Sequence, residues 1–253
     1  MNSQGQISVT KNNAVAFLSF FHPQSNSFPS VLLQELTTEI NTLAQDDSVN
    51  VIVLRSEGNG AFCAGASFDE LLNIETLEQG KQFFSGFANV INAMRKCSKI
   101  IVGRVQGKAV GGGVGLASAC DYVFATSASA VKLSEIAIGI GPFVIEPAVS
   151  RKIGKTAVAE LSLNPTEWKS AQWAKEKGLY ANVFENTEEM DAGLDKFANS
   201  LATYSQEALT EMKKVLWDGT ENWDSLLYER AEISGRLVLS DFTKNALQKF
   251  KNK

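Results

Sequence analysis

The 253-residue sequence contains one histidine, three cysteines and five prolines. With a single imidazole, at His22, a His-rich metal site is excluded. A Ser-His-Asp hydrolase would have to use that histidine, and no G-x-S-x-G turn accompanies it. The cysteines form no C-x-x-C pair, so buried free thiols are the simplest interpretation. Carboxylates, backbone groups or hydroxyls must therefore carry whatever chemistry the protein performs.

The charge balance and the lack of long apolar runs argue against two further classes of protein. The 24 basic and 28 acidic residues give a net charge of −4, whereas a duplex-binding protein usually carries a basic surplus. No stretch approaches the ~18 uninterrupted apolar residues of a membrane-spanning helix. The first residues lack the basic-then-apolar layout of a secretory signal. We therefore expect a soluble cytoplasmic protein that binds neither nucleic acid nor membrane.

Short β-rich runs alternate with amphipathic helical stretches over the first 145 residues. Strands are predicted at Val15–Phe20, Val49–Leu54 and Ile100–Val105. Between the first two lies a helix with apolar residues at three- and four-residue steps and with Ser30 as its N-cap. This alternation predicts an α/β fold with much parallel pairing. Beyond residue 145 the sequence predicts mainly helices, one of them capped by Thr166.

Two glycine-containing segments, Ala61–Asp69 and Gly107–Asp121, each follow a predicted strand and precede helix-like sequence. Glycine permits backbone conformations that leave N–H groups unpaired and close to a ligand. The second segment also opens a helix, where free N–H groups and the helix dipole favour an anion. Two such turns can supply two donors to one developing oxyanion. The alternative is that these glycines only allow a helix to pack closely on a sheet.

Five short motifs follow one another along the chain: FCAGA at Phe62–Ala66, GGG at Gly111–Gly113, ACD at Ala119–Asp121, SE at Ser134–Glu135 and SAQWAKEKGLYANVF at Ser170–Phe184. Their order and spacing resemble the enoyl-CoA hydratase/isomerase family, the crotonase superfamily, over nearly the whole chain. The resemblance implies an enzyme with a crotonase-like spiral of repeated ββα units. It also implies an α/β core at residues 1–195 and a helical trimerisation region at residues 196–253, in a homotrimer or a dimer of trimers.

The resemblance implies a role for three residues in the chemistry of an acyl-CoA thioester. The N–H groups of Ala66 and Gly112 correspond to the family's oxyanion-hole donors, and Glu135 corresponds to its catalytic carboxylate. Moving a proton next to a thioester carbonyl puts negative charge on the carbonyl oxygen, which two preorganised donors stabilise. Glu135 would then carry the proton as general base and general acid.

The resemblance implies that coenzyme A is part of the substrate, and it implies no permanently bound cofactor and no metal. Ala64 would lie near the adenine through its backbone. Phe250 and Lys251 correspond to a C-terminal aromatic–basic pair that can approach coenzyme A from the same subunit or its neighbour. Three further side chains are candidates for the acyl pocket, although ordinary core packing explains them equally well: Phe83, Phe84 and Phe143.

The sequence departs from the family's pattern at Gly115, where hydratases typically carry a second glutamate that helps to position a water. A single acid/base can still move a proton from C2 to C4, which favours isomerisation of 3-enoyl-CoA to 2-enoyl-CoA. Hydration, decarboxylation, thioester hydrolysis and non-catalytic acyl-CoA binding stay open as alternatives. Glu146, eleven residues after Glu135, either supplies the missing carboxylate or caps a helix that begins at Pro147.

Overall fold

The computed structural model describes residues 5–251, apart from the side chains of residues 250 and 251. The strands in this range are β1 (Gln6–Asn12), β2 (Val15–Phe21), β3 (Val51–Ser56), β4 (Ile100–Val105), β5 (Ala109–Val110), β6 (Tyr122–Thr126), β7 (Ala130–Lys132), β8 (Lys169–Ser170) and β9 (Asn182–Phe184). The α-helices are α1 (Ser30–Ala44), α2 (Phe68–Leu72), α3 (Leu77–Lys96), α4 (Gly112–Ala119), α5 (Glu146–Leu163), α6 (Ala171–Glu176), α7 (Thr187–Ala202), α8 (Gln206–Leu216), α9 (Trp223–Leu237) and α10 (Asp241–Lys251). A short 3-10 helix spans Glu135–Ile138.

The larger sheet has the strand order β1-β2-β3-β4-β6-β9, and the smaller one has the order β5-β7-β8. In the larger sheet only β1 runs antiparallel to its neighbour, which confirms the predicted α/β fold with mainly parallel pairing. Strand β3 begins at Val51 rather than at the predicted Val49. The N–H of Val49 instead closes a turn onto the carbonyl of Asp46, at 3.1 Å.

Alternate residues of the central strands face two different hydrophobic clusters. Ile52 and Leu54 point into the main core, which helices α1 and α3 cover. Val51 and Val53 point to the opposite face, where helix α7 packs. Burial on both faces explains why these strands are continuous apolar runs rather than alternating ones.

The C-terminal helices pack directly on the α/β elements. Helix α9 contributes Leu227 and Ala231 to the main core. It crosses α3 so closely that a Cβ on Gly80 would lie 2.7 Å from the Cα of Gly235. Helix α10 places Leu247 in a smaller buried apolar cluster beside the cavity described below.

Two predicted helix caps are wrong. Helix α1 starts at Ser30 with Pro29 in the N-cap position, and the Ser30 amide and hydroxyl both donate to the carboxylate of Glu70. Thr166 caps no helix, because the chain first forms strand β8 against β7, and helix α6 begins only at residue 171. There the hydroxyl of Ser170 accepts from the N–H of Trp173 at 3.1 Å.

The prediction of buried free thiols is confirmed for all three cysteines, Cys63, Cys97 and Cys120. Within residues 5–251, no helix is both long enough and apolar enough to cross a membrane.

Candidate functional site

A cavity of about 160 Å³ opens where the two glycine-containing turns meet. The first turn contributes residues 64–66 to its wall, and the second contributes residues 110–112. Glu135 supplies a carboxylate to the same wall. Five phenylalanines give the cavity much of its apolar surface: Phe68, Phe83, Phe84, Phe87 and Phe143.

The first turn directs the amide of Ala66 towards the cavity. Phe28 accepts the N–H of Ser67 at 2.9 Å and donates to the carbonyl of Gly65 at 2.8 Å. Successive N–H groups of an extended segment point in opposite directions, so the Ala66 N–H points away from Phe28. No acceptor in the described part of the chain takes it. Gly65, at φ 91°, provides the left-handed conformation that this turn needs.

The second turn leaves the amide of Gly112 unpaired as well. Gly112 is the first residue of helix α4, so its N–H has no partner within the helix, and the described residues offer it no other acceptor. The two turns touch, because a Cβ on Gly65 would lie 3.5 Å from the Gly112 nitrogen. A Cβ on Gly112 itself would fall 2.2 Å from the ring of Phe87. Close packing against Phe87 therefore requires glycine at position 112. The same packing places the Gly112 N–H at the cavity wall.

Asn26 holds the loop that supports the first turn, and the sequence analysis missed it. Its Oδ1 accepts the N–H of His22 at 3.0 Å, and its Nδ2 donates to the carbonyls of Glu57 and Ala61 at 3.1 and 2.9 Å. In the same loop, the carbonyl of Ser25 accepts the N–H of Ala64 at 3.1 Å. The sequence signal that could have found it is an asparagine after a proline turn, because asparagine tolerates positive φ. In the structure the φ of Asn26 is 55°.

Glu135 begins the 3-10 helix that follows strand β7 and brings its carboxylate against the second turn. A Cβ on Gly111 would stand 2.8 Å from Oε1 of Glu135. The other oxygen, Oε2, is shielded from solvent and has no hydrogen-bond partner among the described residues. Burial raises the pKa of this carboxyl to about 7. A carboxyl with this pKa can both accept and donate a proton near neutral pH.

Glu146 lies outside the residues that line the cavity. Its carboxylate accepts from the hydroxyl of Ser150 and lies 3.6 Å from Nζ of Lys155. The expectation that Glu146 caps a helix beginning at Pro147 is wrong. Helix α5 already includes Glu146, Ile145 occupies the N-cap position, and no side chain caps the helix.

Ile145 closes the space next to Gly115. A Cβ on Gly115 would lie 2.5 Å from Cγ2 of Ile145 and 2.8 Å from its Cβ. Ile145 is also part of the cavity wall. A side chain at position 115 therefore cannot extend towards the cavity unless Ile145 moves or becomes smaller.

The remaining predicted site residues divide into two groups. Ala64 and the three candidate acyl-pocket phenylalanines all line the cavity. The side chains of Phe250 and Lys251 lie outside the described part of the structure. Among the described residues, no cluster of three or more His, Cys, Asp or Glu side chains is placed to hold a metal ion.

An apolar cavity with two unpaired amides and one buried carboxylate defines a class of site that can bind a carbonyl compound and move a proton beside its carbonyl group. A family model described as enoyl-CoA hydratase/isomerase matches residues 10–253. The chain therefore belongs to the enoyl-CoA hydratase/isomerase family of enzymes.

Relatives and solved structures agree with this assignment. The mouse mitochondrial methylglutaconyl-CoA hydratase is 33% identical over 172 residues, which are 68% of this chain but only 54% of the relative, about half its length. The short-chain-enoyl-CoA hydratase of Clostridium acetobutylicum is 26% identical over 95% of this chain and 92% of its own.

Among solved structures, an enoyl-CoA hydratase from Bacillus halodurans has a TM-score of 0.89 at 20% identity, covering 96% of this chain and 99% of its own. One from Mycobacterium avium has a TM-score of 0.85 at 26% identity, covering 100% of this chain and 97% of its own. The predicted crotonase-like fold with a helical C-terminal region is thereby confirmed.

Proposed function

We propose that the protein is an enoyl-CoA isomerase that moves a double bond from C3 to C2 of an acyl-CoA thioester. The observation that carries the proposal is that Glu135 is the one carboxylate among the described residues that line the cavity. Relatives of this chain include enzymes named as hydratases and, at 27% identity, a peroxisomal Delta(3,5)-Delta(2,4)-dienoyl-CoA isomerase from Arabidopsis thaliana.

In the proposed reaction the thioester carbonyl oxygen accepts hydrogen bonds from the N–H groups of Ala66 and Gly112. The Glu135 carboxylate removes a proton from C2. The electron pair of that C–H bond forms a double bond between C1 and C2, and the π pair of the carbonyl moves onto its oxygen to give a dienolate. Glu135 then returns the proton to C4. The carbonyl re-forms and the double bond now joins C2 and C3, so no atom is gained or lost.

The two amides lower the barrier because they bind the oxygen more strongly once it carries negative charge. Each such donor is worth about 2.7–4 kcal/mol in the transition state. The raised pKa of Glu135 helps for a second reason, since an acid/base works best when its pKa lies close to the operating pH. Because the same group takes and returns the proton, one carboxylate is enough.

Hydration would need more from the site, because a water molecule must be held and delivered to C3. Gly115 offers no side chain for this purpose, and Ile145 fills the adjacent space with an apolar group. Glu146 is engaged with Ser150 and Lys155 and does not line the cavity. These features support isomerisation over hydration.

The arrangement around coenzyme A forms part of the same proposal. The adenine would lie near the backbone of Ala64, with Phe250 and Lys251 approaching the nucleotide. Residues 1–195 would carry Glu135 and both amide donors. Residues 196–253, from which Ser234 reaches the cavity wall, would serve assembly as a homotrimer or a dimer of trimers.

The proposal is tested by offering 3-hexenoyl-CoA and 2-hexenoyl-CoA separately in heavy water and identifying the products by mass and by proton exchange. We expect 3-hexenoyl-CoA to become 2-hexenoyl-CoA without gaining water, faster than 2-hexenoyl-CoA is hydrated. Glu135→Gln should lower turnover by at least ~100-fold while thioester binding is retained. Glu146→Gln serves as the control and should keep its activity. Hydration that outpaces isomerisation, or an active E135Q variant, would overturn the proposal.

A further inference from the structure

The part of the cavity next to Glu135 has almost no polar side chains. Apart from Glu135, the polar side chains among its described lining residues are Ser134 and Ser234. No lysine, arginine or histidine is among the described residues of that lining. The described part of the cavity wall therefore offers no cation to pair with a charged group on a bound acyl chain.

Building on the proposed function, we propose that the part of the cavity next to Glu135 holds the acyl group of the thioester. This acyl subsite accepts hydrocarbon acyl groups and rejects acyl groups that end in a carboxylate. This selectivity would set the protein apart from its 33% identical relative, which is named for methylglutaconyl-CoA, a thioester with a terminal carboxylate.

The first argument is desolvation. Phe83 and Phe84 form one wall and pack edge to face, with ring centroids 5.1 Å apart. Leu71, Phe83 and Ile140 line the cavity and also belong to the buried apolar cluster that contains Leu247 of helix α10. A carboxylate placed against these side chains would lose its hydration without gaining a hydrogen bond or a counter-ion, which is among the costliest changes a site can impose.

The second argument is repulsion between like charges. Glu135 already holds a carboxylate in this cavity, and its Oε2 has no partner among the described residues. A second carboxylate nearby would disfavour ionisation of both groups. An acyl carboxylate would therefore bind poorly, and its charge would also raise the pKa of Glu135, so that a smaller fraction of the base on which the reaction depends is ionised.

The test compares two ligands with the same number of carbon atoms, pentanoyl-CoA and glutaryl-CoA, on the wild-type protein. Neither ligand has a double bond, so calorimetry measures binding without turnover. We expect glutaryl-CoA to bind at least ~100-fold more weakly, given the cost of burying an unpaired carboxylate. Phe84→Arg, a substitution of a half-buried residue of the wall, should shrink this ratio. Gln82→Arg adds the same charge on an exposed part of helix α3 and should leave the ratio unchanged.

The outcomes separate this inference from the proposed function. Binding of the two ligands within threefold of each other, or no binding of pentanoyl-CoA at all, overturns the selectivity. Hydration of 2-hexenoyl-CoA as the faster reaction overturns the isomerase proposal, while a large ratio between pentanoyl-CoA and glutaryl-CoA would still support the selectivity.

Discussion

The carboxylate of Glu135 lies against the backbone of Gly111, where a Cβ would stand 2.8 Å from Oε1. Gly111 also has φ 53° and ψ −117°, a conformation that side-chain-bearing residues rarely adopt. It directly precedes Gly112, whose amide is a proposed oxyanion donor. The proposed base and one of the proposed donors are therefore held by the same turn, and a change in that turn should disturb both.

Gly111→Ala should lower both stability and turnover. The backbone conformation should cost about 1–3 kcal/mol, and the new methyl group should displace the Glu135 carboxylate, reducing kcat at least ~10-fold. Gly58→Ala is the matched control, because Gly58 has φ 81° but a Cβ there meets no atom within 4 Å. Thermal unfolding and steady-state kinetics should show both variants destabilised and only G111A impaired. Equal kinetics in the two variants would contradict the coupling between Gly111 and Glu135.

The pH dependence of the reaction should report the pKa of Glu135. Burial raises this pKa to about 7, and the base must be ionised before it can take a proton. We expect kcat/KM to rise with pH through about 7 and then level off. A profile that is already flat from pH 5 upwards would show that Glu135 titrates normally in the free enzyme or is not the base.

Stability should depend on pH in the opposite direction. The pKa of Glu135 is higher in the folded protein than its ordinary value of 4.5, so the folded state binds the proton more tightly. The contribution of the protonated Glu135 carboxyl to the free energy of unfolding is fully present below pH 4.5 and is lost as the pH rises through about 7. At pH 9, Glu135→Gln should therefore be more stable than wild type, by up to about 3 kcal/mol. Denaturant titrations at pH 4.5 and pH 9 should show the difference growing with pH.

Much of the fold could be predicted from the sequence because its strands and helices are strongly patterned. Strand β4 coincides with its predicted limits, Ile100–Val105, because it is a mainly apolar run buried along its whole length. The predicted caps at Ser30 and Thr166 failed because distant partners decide those ends. Glu70 supplies the acceptor at α1, and pairing of β8 with β7 delays the start of α6.

The candidate site could be predicted only where it rests on local motifs. The two glycine turns and Glu135 are short sequence features, and the structure brings them to one cavity. The contact between Gly115 and Ile145 joins residues 30 positions apart, and nothing in the sequence indicates which side chain fills the space beside a glycine. For Asn26 the sequence offers only an asparagine after a proline turn, and it does not indicate the hydrogen bonds to residues 57 and 61 that make this side chain important.

A second carboxylate at position 115 should support hydration only if the neighbouring side chain of Ile145 leaves room for it. Gly115→Glu alone should destabilise the protein and gain little hydration, because its Cβ would lie 2.5 Å from Cγ2 of Ile145. The double variant with Ile145→Gly, which also removes the Ile145 Cβ at 2.8 Å, should relieve this clash and increase water addition to crotonyl-CoA. Ile145→Gly alone is the control for a larger cavity. Equal hydration by I145G and the double variant would show that a carboxylate at position 115 does not position water.

Asn26→Ala should reduce turnover by loosening the loop that carries the Ala66 amide. The substitution removes one bond from His22 and two bonds to the carbonyls of Glu57 and Ala61. Because that amide acts mainly on the developing oxyanion, kcat should fall at least ~10-fold while KM changes little. Asn13→Ala is the matched control: Asn13 has φ 52°, is exposed, and its side chain has no hydrogen bond to the described residues. A fall in stability shared by both variants, with kcat unchanged in N26A, would limit Asn26 to a purely structural role.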